Sequence, residues 1–249
     1  MKTIKGIWRF SRVICYTFVC LFQAYTRFKH VDRKEKGRML RYYPTQVLKL
    51  AGVRCSYEGH VPELLHECGL TDTPPACLVL SNHVSWLDIF SLDSQLPSRF
   101  IAKAEIAKWP IFGLIAQQIG TLFINRSSKR AILRINDDIR GALCNCEAVT
   151  IFAEGTTTFG NELLPIKANF IAPVCEIGAT VQPVILSYKN KGKPTKQAAF
   201  SGDVTLFGSL WNVVTMEDAE VVVHFLEPIT NTKDLTRHEI GRASCRERV

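Results

Sequence analysis

The stretch SNHVSWLDIF places His83 and Asp88 five positions apart, directly after the apolar run Ala76 to Leu80. If a strand ends at about Ser81, His83 falls in the turn and Asp88 in the first turns of the next helix, so the carboxylate can reach back to one imidazole nitrogen. That contact fixes the tautomer. The other nitrogen is then free to take a proton from a hydroxyl, the base-and-orienter pair of acyl-transfer chemistry. The chain has no G-x-S-x-G nucleophile elbow, so direct attack by a substrate hydroxyl is favoured over a covalent acyl-enzyme. It also lacks the glycine-rich G-K-[ST] loop that phosphoryl transfer would want.

Three further blocks follow in order: GTLFINR, ending in Arg126; FAEGTTT, holding Glu154, Gly155 and Thr156; and VQPVILSY, holding Pro183. KAEIAKWPIFG, from Lys103 to Gly113, lies between the first box and these. With Asn82, His83 and Asp88 they resemble the lysophosphatidic acid acyltransferase family, the glycerolipid acyltransferases with an N-H-x-x-x-x-D box. The resemblance runs from about Ala51 to Pro228. It implies His83 as general base with Asp88 as its partner, and a substrate-binding set of Asn82, Arg126, Glu154, Gly155, Thr156, Lys167 and Pro183. Within that set Arg126 would hold the acceptor phosphate, and Pro183 would line the acyl or acceptor site. The implied reaction moves a fatty acyl group from acyl-CoA or acyl carrier protein, used as co-substrate with no cofactor, to the free sn-2 hydroxyl of lysophosphatidic acid.

These residue types suit those roles. A guanidinium presents a bidentate fork to phosphate. Glycine lets backbone approach a ligand, and Thr156 with nearby N–H groups can donate to an oxyanion or phosphate. Glu154 could orient its loop, bind the glycerol backbone or pair with Arg126. Two positions depart from the family pattern: Ala153 stands where a proline is usual, and Thr157 where an arginine is usual. The missing arginine removes one phosphate contact, which Lys129, Arg130 or Lys167 could replace, and it opens a different acceptor such as lyso-ornithine lipid. LPIKANF around Lys167 lacks the family's common glycine.

At 249 residues the chain can build one substantial α/β domain. A formal net charge of +8 favours anionic partners, whether phosphate compounds, nucleic acid or an acidic bilayer, and does not choose among them. The resemblance selects a lysophospholipid and membrane lipid, with no nucleic acid. A basic lipid-binding module without catalysis would leave the ordered blocks unexplained. The nine cysteines sit mostly in apolar runs and read as reduced; Cys144 and Cys146 have no second pair at zinc-site spacing, and no metal is expected.

The elements that must position these groups follow from hydrophobic pattern. Short apolar runs at Ala76 to Leu80, Phe100 to Ala102, Thr121 to Ile124, Ala148 to Ala153, Val181 to Leu186 and Glu220 to Leu226 alternate with helix-like stretches. They predict an α/β fold with a mixed, largely parallel sheet flanked by helices over residues 52–238. The polar clusters then fall at strand carboxyl ends, where open α/β sheets bind ligands. KNKGKPTK, from Lys189 to Lys196, reads as an exposed loop. Residues 1–51 read as an N-terminal membrane-associated helical segment: an apolar run from Val13 to Phe22 between basic flanks, too short for a clean span, then an amphipathic helix from Lys34 to Ala51 that Pro44 should kink or split. The resemblance implies the cytoplasmic face of the inner membrane. EIGRASCRERV, residues 239–249, resembles a translated sequencing-adapter read-through and is set aside as a non-native tail.

Overall fold

A computed structural model describes residues 2–61, 76–125, 128–160 and 164–246. The chain opens with α1 (Lys2–Thr26) and α2 (Arg33–Ala51), then enters the sheet at β1 (Val53–Gly59) and β2 (Cys77–Ser81). There follow α3 (Leu87–Asp93), β3 (Arg99–Lys103), α4 (Phe112–Gln118), β4 (Leu122–Ile124), α5 (Lys129–Cys144) and β5 (Val149–Phe152). The remainder runs through α6 (Ala172–Ile177), β6 (Thr180–Asn190), β7 (Lys193–Pro194), α7 (Leu206–Val214), β8 (Ala219–Phe225) and α8 (Arg237–Arg246).

The strand order is β1-β8-β6-β2-β5-β3-β4, with β7 pairing β6. All neighbouring pairs are parallel except β6 with β8 and β6 with β7, so the expected mixed, largely parallel sheet is present. Every residue of β2 is buried, because CLVLS sends Cys77 and Val79 into one apolar cluster and Leu78 and Leu80 into the other. The first cluster is covered by α2, α3 and α7, the second by α5, α6 and α8. Helices thus lie on both faces, and β2, β3, β4, β5 and β6 all present their carboxyl ends along one edge. The six expected strands are all found. β1 was not foreseen, because VRCSYEG alternates in burial instead of forming an apolar run. The Lys-rich loop is exposed as expected, but it is the turn of the hairpin formed by β6 and β7.

The N-terminal segment corrects one expectation. Pro44 does not split α2, which continues from Arg33 to Ala51. The ring removes one helical hydrogen bond, yet Met39, Pro44, Val47, Leu48 and Ala51 are buried, and that packing offsets the loss. α1 is longer than its apolar run, and no helix among the described residues is long and apolar enough to cross a membrane. α1 is joined to the body by a charged group. Arg9 is buried and its Nη1 donates to the carbonyls of Val214 (3.1 Å), the last residue of α7, and Met216 (2.9 Å), just beyond it. Gly52, the left-handed cap of α2, provides the space: a Cβ there would stand 2.2 Å from the guanidinium carbon.

At the other terminus α8 begins with a capping box, in which the Thr236 N–H donates to Glu239 (2.8 Å) and the Glu239 N–H to the Thr236 hydroxyl (3.3 Å). Ile240 is fully buried in the second cluster.

Two glycines in one segment should therefore respond oppositely to alanine. Gly52→Ala is expected to destabilise the fold by about 1–3 kcal/mol, through left-handed strain and displacement of Arg9. Gly37→Ala, inside α2 with nothing within 4 Å of the added carbon, should stabilise it by about 0.5–1 kcal/mol. Chemical denaturation of both variants in detergent checks the pair, and the same sign for both would refute the assignment.

Candidate active site

β2 ends at Ser81, and the next seven residues form the centre of the site. His83 Nδ1 lies 2.8 Å from Asp88 Oδ2. The same carboxylate oxygen accepts the backbone N–H groups of Val84 (2.7 Å) and Ser85 (2.9 Å), so Asp88, in the first turn of α3, draws the turn before it into shape. The other oxygen accepts a hydrogen bond from the Tyr188 hydroxyl on β6. Asp88 is wholly buried, whereas the His83 side chain keeps 20% exposure. The carboxylate accepts donors on both oxygens, and its contact with Nδ1 assigns the imidazole proton of the neutral ring to that nitrogen. Nε2 is then left with a lone pair.

The ring is fixed on its other side as well. Phe152, the last residue of β5, stacks on His83 with ring centroids 3.8 Å apart and planes 9° from parallel, and Phe100 of β3 lies behind it at 5.9 Å. The backbone of His83 is held by the Thr158 N–H (2.8 Å), and that of Val84 by the Phe200 N–H (2.8 Å). A hydrogen-bonded nitrogen, a stacked face and a pinned backbone leave the imidazole one orientation.

The turn after β5 carries the second group of expected residues. Gly155 adopts φ 74, the left-handed region that a side chain would strain, and its N–H closes onto Phe152 O at 2.9 Å. Glu154 is buried and Thr156 exposed. Lys167 is exposed, and its N–H donates to Ala153 O (3.0 Å), which brings it to the same turn. Thr157, at the position where the family pattern has arginine, donates its hydroxyl to the carbonyl of Phe200 and ties the turn to the segment after β7. Arg126 lies outside the described residues; β4, which precedes it, ends on the same edge of the sheet as β2. Pro183 sits deep in β6, buried opposite Leu80, and its carbonyl accepts the Leu226 N–H (3.0 Å).

Asn82 occupies a different kind of position from His83. Its amide is engaged at both ends by one residue of β6: Nδ2 donates to Leu186 O (2.9 Å) and Oδ1 accepts from Leu186 N (2.7 Å). These contacts continue the pairing of β2 with β6 past the end of β2, where strand hydrogen bonds would otherwise stop. The residues that the sequence reading overlooked are Tyr188 and Phe152. Tyr188 was visible as the last letter of VQPVILSY, yet nothing in the sequence says which side of the sheet it meets.

Comparison with known proteins gives a consistent set. The family model described as Acyltransferase matches residues 62–187. A 1-acyl-sn-glycerol-3-phosphate acyltransferase of Neisseria gonorrhoeae is 42% identical over 154 residues, 61% of this chain and 60% of that protein. A lyso-ornithine lipid O-acyltransferase of Pseudomonas aeruginosa is 40% identical over 165 residues, covering 66% and 63%. One of Rhizobium meliloti is 32% identical over 225 residues, covering 85% and 74%. The matched stretch thus spans about 60% of the length of the first of these relatives. The crystal structure of the LPA acyltransferase PlsC from Thermotoga maritima shares the fold, with a TM-score of 0.64 at 17% identity over 100% of this chain and 98% of that one.

The clamp at Asn82 makes a prediction about stability. Asn82→Ala leaves both backbone groups of Leu186 without their partner and should lower stability by about 2–4 kcal/mol, as unpaired buried polar groups do. Thermal unfolding with the wild-type chain as reference reads this, and an unchanged midpoint would mean that the amide does not hold β6.

Proposed function

The chain belongs to the acyltransferase family, and on that premise we propose that it transfers a fatty acyl group from a thioester to the free hydroxyl of a lysophospholipid, with lysophosphatidic acid as acceptor and phosphatidic acid as product. One observation carries the reading: an imidazole held at Nδ1 by a buried carboxylate, stacked on one face, with Nε2 left open at the carboxyl edge of the sheet.

In this reading the acceptor hydroxyl gives its proton to His83 Nε2 as its oxygen attacks the thioester carbonyl. The C–O bond forms, the tetrahedral intermediate collapses, and the C–S bond breaks. The imidazolium, stabilised by Asp88, returns the proton to the departing thiolate, so no oxidant or cofactor enters the balance. The donor is acyl-CoA or an acylated carrier protein. Arg126 and the turn from Glu154 to Thr156 are the proposed acceptor-binding groups, with Lys167 beside that turn and Pro183 behind it in β6. Asn82 is proposed to contribute by holding β6.

A second acceptor is favoured by a specific feature. Thr157 places a neutral hydroxyl, directed at Phe200 O, where the family pattern has a cation, and relatives named as lyso-ornithine lipid acyltransferases match at 40% and 32% identity. The lyso-ornithine lipid reading would leave this part of the site with an amino-acid headgroup and no phosphate to bind.

The N-terminal helices are proposed to seat the enzyme on a bilayer, on the cytoplasmic face of the inner membrane. α1 exposes Ile4, Ile7, Trp8, Phe18, Phe22 and Tyr25, an i, i+3, i+4 stripe. Phe207 and Trp211 of α7 are exposed too, and both rings pack against Phe10 of α1, which continues the apolar surface. Arg12 lies over the Trp8 ring at 4.1 Å and Lys29 near Tyr25 at 5.9 Å, cations at the height of anionic headgroups when the stripe is immersed.

Two experiments test these readings. Detergent-solubilised enzyme given labelled lysophosphatidic acid or lyso-ornithine lipid, with acyl-CoA or acyl carrier protein as donor, should form the acylated lipid, and His83→Ala should reduce the rate by about 10² to 10⁴. Transfer to neither acceptor would refute the enzymatic reading, while the ratio between acceptors decides the headgroup. In flotation with vesicles containing phosphatidylglycerol, Phe18→Ser with Phe22→Ser should reduce bound protein at least tenfold, since each buried aromatic contributes about 1.5–3 kcal/mol. Equal flotation would remove α1 as the anchor.

A further inference from the structure

The carboxylate that orients His83 is itself held from behind. Asp88 receives hydrogen bonds from His83, Val84 and Ser85 on Oδ2 and from the Tyr188 hydroxyl on Oδ1. Tyr188 belongs to the buried row Val184, Leu186, Tyr188 on the β6 face that packs in the first apolar cluster, the face covered by α3. The Asn82 clamp on Leu186 fixes the register of that row at the end of β2. Two residues farther along β6, about 6.6 Å, the phenol meets Asp88. The His83 turn therefore contributes three donors to one oxygen of the carboxylate, and the β6 strand contributes one to the other.

We propose that Tyr188 is a positioning residue of the acyl-transfer pair: its hydroxyl locks the rotation of Asp88 and draws charge from the carboxylate, which sets how strongly Asp88 favours a protonated imidazole. The proposal rests on the reading of His83 as general base. A carboxylate oxygen that accepts a strong donor carries less charge for its other partners, so the hydrogen bond on Oδ1 moderates the one on Oδ2. The phenol is suited to stay a donor. Burial, reinforced by the adjacent Asp88 charge, pushes its ionisation well above the usual tyrosine range. Other titratable groups around this layer are Cys55 and Tyr57 of β1, also pushed up by burial and thus uncharged, Asp93 of α3, likewise pushed up by burial, Glu220 of β8, whose charge acts on Cys55, and buried Glu154, two residues beyond Phe152. Tyr57 bonds Ser94 on α3 (2.8 Å) and extends the polar layer away from the pair.

The test is the pH profile of kcat/KM for the full chain in detergent with lysophosphatidic acid and an acyl-CoA. Below the acid limb the base is protonated and the rate falls. Tyr188→Phe keeps the ring and removes the donor, so the limb should move to higher pH by about 0.5–1 unit. The plateau kcat should fall by about 3- to 10-fold with the acceptor KM within about twofold, the pattern of a lost orienting contact. Replacing Tyr188 by 3-fluorotyrosine strengthens the donor in nearly the same shape and should move the limb to lower pH, and it serves where the phenylalanine variant fails to fold. A limb unmoved in the folded variants overturns the proposal, whatever the loss in rate. Wild-type enzyme without any transfer activity would instead fail the base assignment. In that event the titration of the His83 ring proton by NMR, identified by its loss in His83→Gln, still reads whether Tyr188 acts on the pair.

Discussion

The organisation of this site follows from the cost of burying one carboxylate. A buried aspartate with no solvent exposure needs its lone pairs met by donors, and Asp88 obtains them from two separate pieces of chain: the turn after β2, which supplies the His83 imidazole and two backbone N–H groups, and a strand that arrives about a hundred residues later. Each donor imposes a constraint. The backbone N–H groups of Val84 and Ser85 must point inward, which bends the chain sharply after Ser81 and starts α3. His83 must present Nδ1, which aims Nε2 outward. β6 must stop in one register, and the Asn82 amide fixes it by replacing the strand hydrogen bonds that β2 no longer offers. A functional group is thereby precise because a structural debt at its neighbour has been met.

The same logic joins the N-terminal helices to the catalytic body. α1 carries an apolar stripe outward, and an amphipathic helix held only by apolar contacts could rotate to bury it. Arg9 prevents that, because its guanidinium is directed into the carbonyls at the end of α7 and cannot leave without exposing them. Burial lowers the affinity of Arg9 for its proton, and the hydrogen bonds to main-chain oxygen supply the compensation. The helix thus has one allowed azimuth, with the stripe facing away from the core and continuous with the aromatic rings of α7. A basic residue that a reading by composition assigns to lipid headgroups is an internal fastener.

How far the sequence foretold this arrangement depends on the range of the interaction. His83 and Asp88 were legible because they lie five positions apart, where spacing alone brings them together, and the six foreseen strands were legible because each carries a short apolar run. β1 was not, since an edge strand with alternating burial lacks an apolar run. Tyr188 and the Asn82 clamp were not, since both depend on which strand lies beside β2, and order in a sheet is not written in local periodicity. Pro44 does not split α2 for a related reason: its effect on an isolated helix is large, but the tertiary packing of α2 outweighs it. Residues 239–246, which read as foreign, begin within a capping box and place Ile240 in the second core cluster, a reminder that packing accepts any apolar side chain of suitable shape.

The separation of roles along the sheet edge bears on how acceptors are distinguished. The proposed base and its orienter are built from short-range turn geometry at the end of β2, while the proposed acceptor contacts at Glu154, Gly155 and Thr156 lie in the turn after β5, which also holds the His83 backbone through the Thr158 N–H. Thr157 departs from the family pattern in the same turn: in place of a cation the turn has a hydroxyl that ties to Phe200, whose N–H in turn holds Val84. In the proposed acceptor site, position 157 thus has a neutral strut to the segment that holds Val84, beside the proposed base. Relatives that differ in their named acceptor match this chain to a similar extent, and the turn at residues 154–157 is the proposed seat of that difference.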